Sequence, residues 1–194
     1  MLYAPEREQE WLDFLCAQRV VGFFEQPIQL RSGRMSHWYV NWRTVFEDVW
    51  ALQRCVSFVL DAVEAASWQP QTLFGGAEGA SKWGVLAQLK WAKRQADYGP
   101  GTHALSMGRG REKSYGDPKD RHFLGTPRGT TVVIEDVTTT GDSLLNSVRT
   151  LQEMGVDVRV ALCLTDRQEP RADGRALEDV LAEHGVHKVV CYAA

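Results

Sequence analysis

The stretch TVVIEDVTTTGDS, residues 131–143, decides the fold. Its β-branched apolar run, Val132, Val133 and Ile134, reads as a strand that ends in two adjacent carboxylates, Glu135 and Asp136. A turn rich in hydroxyls follows, Val137 and Thr138-Thr139-Thr140-Gly141-Asp142-Ser143, and a helical pattern begins at Leu144. A strand that stops in paired acids and turns into a helix start suits a phosphorylated sugar. Main-chain N–H groups and the positive helix end favour the phosphate, while carboxylates accept hydrogen bonds from neighbouring hydroxyls. The same pattern also fits an ordinary βα turn in which Asp136 or Asp142 caps the helix.

Outward from this stretch the chain alternates helices and strands. Apolar spacing predicts helices over 6–21, 49–66, 79–94, 144–154 and 176–184, with Gly155 at the C′ position of the fourth. Strands are expected over 72–74, 103–107, 130–134, 156–164 and 186–191. Before them, QLRSGRMSHWYVNWR (residues 29–43) reads as two short strands around Arg31-Ser32-Gly33-Arg34. This order predicts an α/β fold, an open, mostly parallel sheet flanked by helices, with ligands at the carboxyl ends of the strands. No repeat or linker divides the chain, so residues 1–194 are expected to form one domain, with 1–45 as an N-terminal helix and hood.

Composition bounds the function loosely. A chain of 194 residues with 44% apolar content can bury a core without staples. A formal net charge of −3 disfavours a protein that coats nucleic acid. The four cysteines, Cys16, Cys55, Cys163 and Cys191, have no C-x-x-C spacing, which suggests neither a zinc site nor a disulfide framework. No secretory leader pattern and no 18-residue apolar run is legible, so a cytoplasmic setting without membrane partners is the expectation. His184 and His187 flank a helix-breaking Gly185 and do not read as a metal pair. Five of the seven tryptophans lie in the first 70 residues, which would suit a subunit interface there.

The segment GRGREKSYGDPKDRHFLGTPRG, residues 108–129, combines glycines with Arg109, Arg111, Lys113, Lys119, Arg121 and Arg128. A structureless loop of this length reads as a lid or as a solvated excursion. Cations on a flexible lid could close over a polyanion and stabilise a departing charged group.

Four segments together resemble the type I phosphoribosyltransferases, and within them the orotate phosphoribosyltransferases. LRSGRMSHWYVN is similar to the family's hood motif, and FGGAEGASK to its pyrophosphate loop. RGREKSYG resembles its lid motif, and the acidic strand tip with TTTGDS resembles its 5-phosphoribosyl-1-diphosphate (PRPP) signature, followed by Asp166-Arg167-Gln168-Glu169. The resemblance implies transfer of 5-phosphoribosyl from PRPP to orotate, giving orotidine 5′-monophosphate and pyrophosphate with Mg²⁺ carried mainly by PRPP, in pyrimidine nucleotide biosynthesis. It implies a PRPP site of Arg31, Arg109, Lys113, Tyr115, Glu135, Asp136 and residues 137–143. Among these, Lys113, Arg109, Asp136 and Glu135 would be catalytic. Orotate would meet Thr139, Arg167, Trp38 and Tyr39, and a homodimer would contribute the lid in trans. The chain departs from the pattern at Gly110, where the lid has a second basic residue, at Tyr115 for a common histidine, at Arg31 for lysine, and at His37 for proline. Another base, or a non-catalytic PRPP or nucleotide sensor of the same fold, are the alternative functions.

Overall fold

The computed structural model describes residues 3–30, 33–76, 78–110, 114–115 and 121–193. Four parallel strands form the main sheet in the order β3-β6-β7-β8: β3 (Thr72–Gly75), β6 (Thr130–Thr138), β7 (Asp157–Asp166) and β8 (His187–Val190). Consecutive apolar residues on β6 and β7 bury both faces, as a parallel sheet between helices requires. Val132, Ile134, Val160, Leu162 and Leu164 pack on one side with α1 (Pro5–Ala17), α2 (Val49–Ala65) and α3 (Ser81–Ala92). Val133, Ala161 and Cys163 pack on the other with α4 (Asp142–Glu153) and α5 (Leu177–Glu183). The expected α/β architecture is therefore present.

Local chemistry sets the helix starts. Asp48 caps α2 by accepting from Trp50 N and Ala51 N, each at 3.1 Å. Pro5 and the acidic Glu6 and Glu8 open α1. That helix stops at Ala17, short of the expected 21, because Arg19 takes a left-handed φ of 52° and Val20 N turns back to Leu15 O. The strand β1 (Val21–Gln29) then begins at once and pairs antiparallel with β2 (Met35–Val40), a longer hairpin than residues 29–43 suggest. Gly33 closes its turn with φ 83°, donating to Leu30 O.

One expected strand is replaced. Residues 103–106 do not join the sheet; β4 (Met107–Gly108) instead pairs antiparallel with β5 (Phe123–Leu124) in a separate ribbon. The cause is Gln88 of α3. Its buried amide accepts from Leu73 N at 2.8 Å and donates to Gln71 O and to Ala104 O, at 3.0 and 2.7 Å. A side chain thus occupies main-chain positions on the β3 edge that a neighbouring strand would use. The β4–β5 pairing also means that the segment 108–129 is not structureless throughout: residues at its start and near its end are held together at its base.

The tryptophans are mostly interior. Trp11, Trp42 and Trp83 are fully buried, with Trp11 and Trp42 stacked at 5.4 Å and Trp42 edge-on to Trp83 at 5.7 Å. Among the early tryptophans Trp50 is the largely exposed one. Trp42 Nε1 donates to Thr165 Oγ1 at 3.1 Å, tying the chain after the hairpin to the tip of β7. No helix among the described residues is long and apolar enough to cross a membrane.

Candidate active site

A cavity of about 900 Å³ opens at the carboxyl ends of β3, β6 and β7, where the crevice of an open parallel sheet is expected to take ligands. Its floor is the β6 tip: Glu135, Asp136, Val137 and Thr138. Thr139, Thr140, Gly141, Asp142 and Ser143 continue along the wall into the first turn of α4. Gly141 is the N-cap of α4 at φ 81°, and no side chain caps that helix. Asp142 therefore does not play the capping role that an ordinary βα turn would give it; it accepts from Thr140 Oγ1 at 2.8 Å. First-turn N–H groups have no partner within their own helix. With the helix dipole, they form an anion-receiving end facing the cavity.

Glycines make room for the acids. A Cβ on Gly79 would lie 2.3 Å from Asp136 Oδ2, and one on Gly76 would lie 2.6 Å from Glu135 Oε2. The loop after β3 thus lies directly against both carboxylates. Burial pushes the Asp136 carboxyl above its ordinary value, against the opposing pull of the Val137 and Asp136 N–H groups and the Arg43 charge. Asn41, Arg43 and Tyr39 from the hood side complete that wall.

Arg167 stands beside the β6 tip, buried just past β7, with its N–H donating to Thr138 O at 2.8 Å. Its guanidinium lies 4.0 Å over the Trp38 ring, and Nη2 donates to Ser36 Oγ at 3.4 Å. Nε approaches Glu169 Oε1 at 3.1 Å as an ion pair without hydrogen-bond alignment. Glu169 also pairs with Arg34 at 3.0 Å, so the hood hairpin and the β7 tip share one carboxylate. Trp38 accordingly serves as a platform under Arg167 and does not line the cavity, whereas Tyr39 and Arg167 do.

On the lid side, Arg109 and Gly110 line the cavity, with Arg109 N donating to His122 O at 2.9 Å. A Cβ on Gly110 would stand 2.1 Å from Glu78 Oε1. Gly110, where the resemblance expected a second basic residue, thus faces an acid on the loop after β3. Tyr115 is exposed at the surface, away from the cavity wall. Arg31 and Lys113 lie outside the described residues. The hood and loop motifs foreshadowed Asn41, Arg43, Glu78 and Gly79 only as neighbours of named positions. Phe123 carried no signal, because a two-residue strand has no readable period, and neither did His122 just before it.

A parallel sheet whose acidic strand tip runs through a hydroxyl-rich loop into an uncapped helix, faced by a hood, defines a phosphoribosyltransferase of type I architecture. No protein-family model matches the chain. It is 30% identical over 159 residues to an orotate phosphoribosyltransferase of Bradyrhizobium diazoefficiens, covering 78% of this chain and 79% of that one. The chain belongs to the orotate phosphoribosyltransferase family. A second relative, from Aeropyrum pernix, is 30% identical over 165 residues, covering 82% of this chain and 77% of its own. The crystal structure of an orotate phosphoribosyltransferase from Aeropyrum pernix shares the fold, with a TM-score of 0.70 at 24% identity over 94% of this chain and 93% of that one.

Proposed function

We propose that the protein transfers 5-phosphoribosyl from PRPP to orotate, releasing pyrophosphate and orotidine 5′-monophosphate in pyrimidine nucleotide biosynthesis. The observation that carries this reading is the single cavity joining Glu135 and Asp136, the uncapped start of α4, and Arg167. The 5′-phosphate lies at the first turn of α4 with the hydroxyls of Thr139, Thr140 and Ser143. Glu135 and Asp136 accept from the ribose hydroxyls and favour the positive charge that grows on the ring as the bond to pyrophosphate breaks. Arg167, stacked and ion-paired, offers a planar fork for the carboxylate of orotate, flanked by Thr139 and Tyr39. Arg109 and Lys113, with Arg31, stabilise the departing pyrophosphate.

The cavity's oxygen donors suit Mg²⁺ held chiefly by the substrate. No group of three His, Cys, Asp or Glu side chains among the described residues could hold a metal alone. Carboxylates beside a diphosphate are the usual Mg²⁺ environment. Bound with the substrate, the ion would supply neutralisation of diphosphate charge, and Glu135 and Asp136 are the residues that would stand beside it. A homodimer with its lid contributed in trans belongs to this proposal, although Arg109 lines the cavity of its own chain. Mixed dimers of Lys113→Ala and Asp136→Asn subunits separate the two arrangements, since only lid donation in trans restores one working site.

The deciding experiment follows orotate absorbance with PRPP and Mg²⁺, with Arg167→Ala and Lys113→Ala alongside. The expected result is stoichiometric pyrophosphate release, a raised orotate KM for Arg167→Ala, and kcat lowered about a hundredfold or more for Lys113→Ala. Turnover of a different base only would replace orotate as the acceptor. PRPP binding without turnover of any base would make the protein a sensor.

A further inference from the structure

We propose that Arg171, which lies outside the cavity wall, is a positioning residue that holds the 5′-phosphate loop in its binding shape; this rests on the phosphoribosyl reading above. Arg171 sits in the segment between β7 and α5, and its side chain is 12% exposed. Asp173 grips it in a fork, accepting from Nε through Oδ1 and from Nη2 through Oδ2, each at 3.3 Å. Asp173 is itself fixed by Arg175 N at 3.1 Å. The remaining arm, Nη1, reaches across to the phosphate loop, donating to Thr140 O at 2.7 Å and to Asp142 Oδ1 at 3.0 Å.

Both contacts answer a requirement of the loop. To present N–H groups to a phosphate, residues 139–143 must turn their carbonyls elsewhere, and Arg171 donates to the one of Thr140. Asp142 is the first residue of α4, so its carboxylate stands at the helix end that a dianionic phosphate would approach. Left unbalanced, that charge repels the ligand. Arg171 neutralises one oxygen while Thr140 Oγ1 holds the other at 2.8 Å. The brace is local: Leu177 of α5 packs where a Gly141 side chain would stand, so the chain after β7 holds the loop both by a charge and by an apolar contact.

The test is steady-state kinetics and inhibition by ribose 5-phosphate, a ligand with the phosphate but no base, in the full-length protein. Arg171→Gln is expected to raise the PRPP KM and the ribose 5-phosphate inhibition constant about tenfold, the scale of one charge-assisted hydrogen bond. Orotate KM and kcat stay within about twofold, following the pattern for lost uniform binding. Arg171→Lys recovers part of the loss because it keeps the charge, and adding Asp142→Asn to Arg171→Gln recovers part by removing the repulsion. An unchanged PRPP KM in Arg171→Gln overturns the proposal, as does an equal loss in PRPP KM, orotate KM and kcat. If Arg171→Gln fails to fold, Arg171→Lys decides, and parental constants there overturn it too. A parent protein that consumes no orotate refutes the proposed function instead, while calorimetry with ribose 5-phosphate still reads the brace.

Discussion

Gly79→Ala would place a methyl group 2.3 Å from Oδ2, 2.6 Å from Oδ1 and 2.7 Å from Cγ of Asp136. Gly79 has no left-handed φ, so alanine adds no left-handed backbone strain there, and the nearest atoms its methyl meets are all of the Asp136 carboxyl group. Asp136 must rotate away from the loop and, under the proposed function, off the ribose. A hydrogen bond to a charged group contributes about 1.5–3 kcal/mol, so one lost bond lowers kcat/KM for PRPP roughly 10- to 100-fold. The assay is orotate consumption at varied PRPP, with Gly99→Ala as the comparison, since a Cβ there meets nothing nearer than Asp97 O at 3.8 Å. Activity of Gly79→Ala within twofold of the parent would refute the placement of Asp136 against the sugar.

Two further outcomes follow from the same corner of the fold. Burial raises the Asp136 carboxyl above its ordinary 3.8, so ionising it costs stability at every pH above its folded value, and that cost vanishes below 3.8. Asp136→Asn should therefore melt at a higher temperature than the parent at pH 7, converge with it as the pH falls towards 4, and lose activity; equal melting at pH 7 would count against the burial. In the parent, the acid limb of kcat/KM should lie above 3.8, where protonation removes an acceptor. Gly141→Ala combines a left-handed φ of 81° with a Cβ 2.4 Å from both Leu177 δ-carbons. Strain of about 1–2 kcal/mol and overpacking of about 1–3 kcal/mol should lower Tm by on the order of 10 °C. Calorimetry reads the shift, and a change under 2 °C would refute the packing argument.

Much of the site was legible because its chemistry is contiguous. Residues 131–143 carry strand, acids, hydroxyl-rich loop and helix start in chain order, and each step has a local cause: β-branching, a positive-φ glycine, an apolar helical stripe. Arg167 was legible only through its Asp166-Arg167-Gln168-Glu169 context. Trp38 shows the limit of such reading, since the resemblance set it beside the base, whereas its ring lies under Arg167 and outside the cavity lining.

By itself, the sequence determined the alternation of elements, the two-faced burial of β6 and β7, and the acidic tip that feeds α4, because each depends on neighbours within a few residues. Only the tertiary structure decided that Gln88 would take the edge of β3 in place of residues 103–106, that Glu78 would press against Gly110, and that Arg171 would brace Thr140 and Asp142. Those contacts join residues 15 to 32 positions apart along the chain. Their polar or close-packed partners are chosen by how helices and loops come together in space, and no local periodicity records that choice.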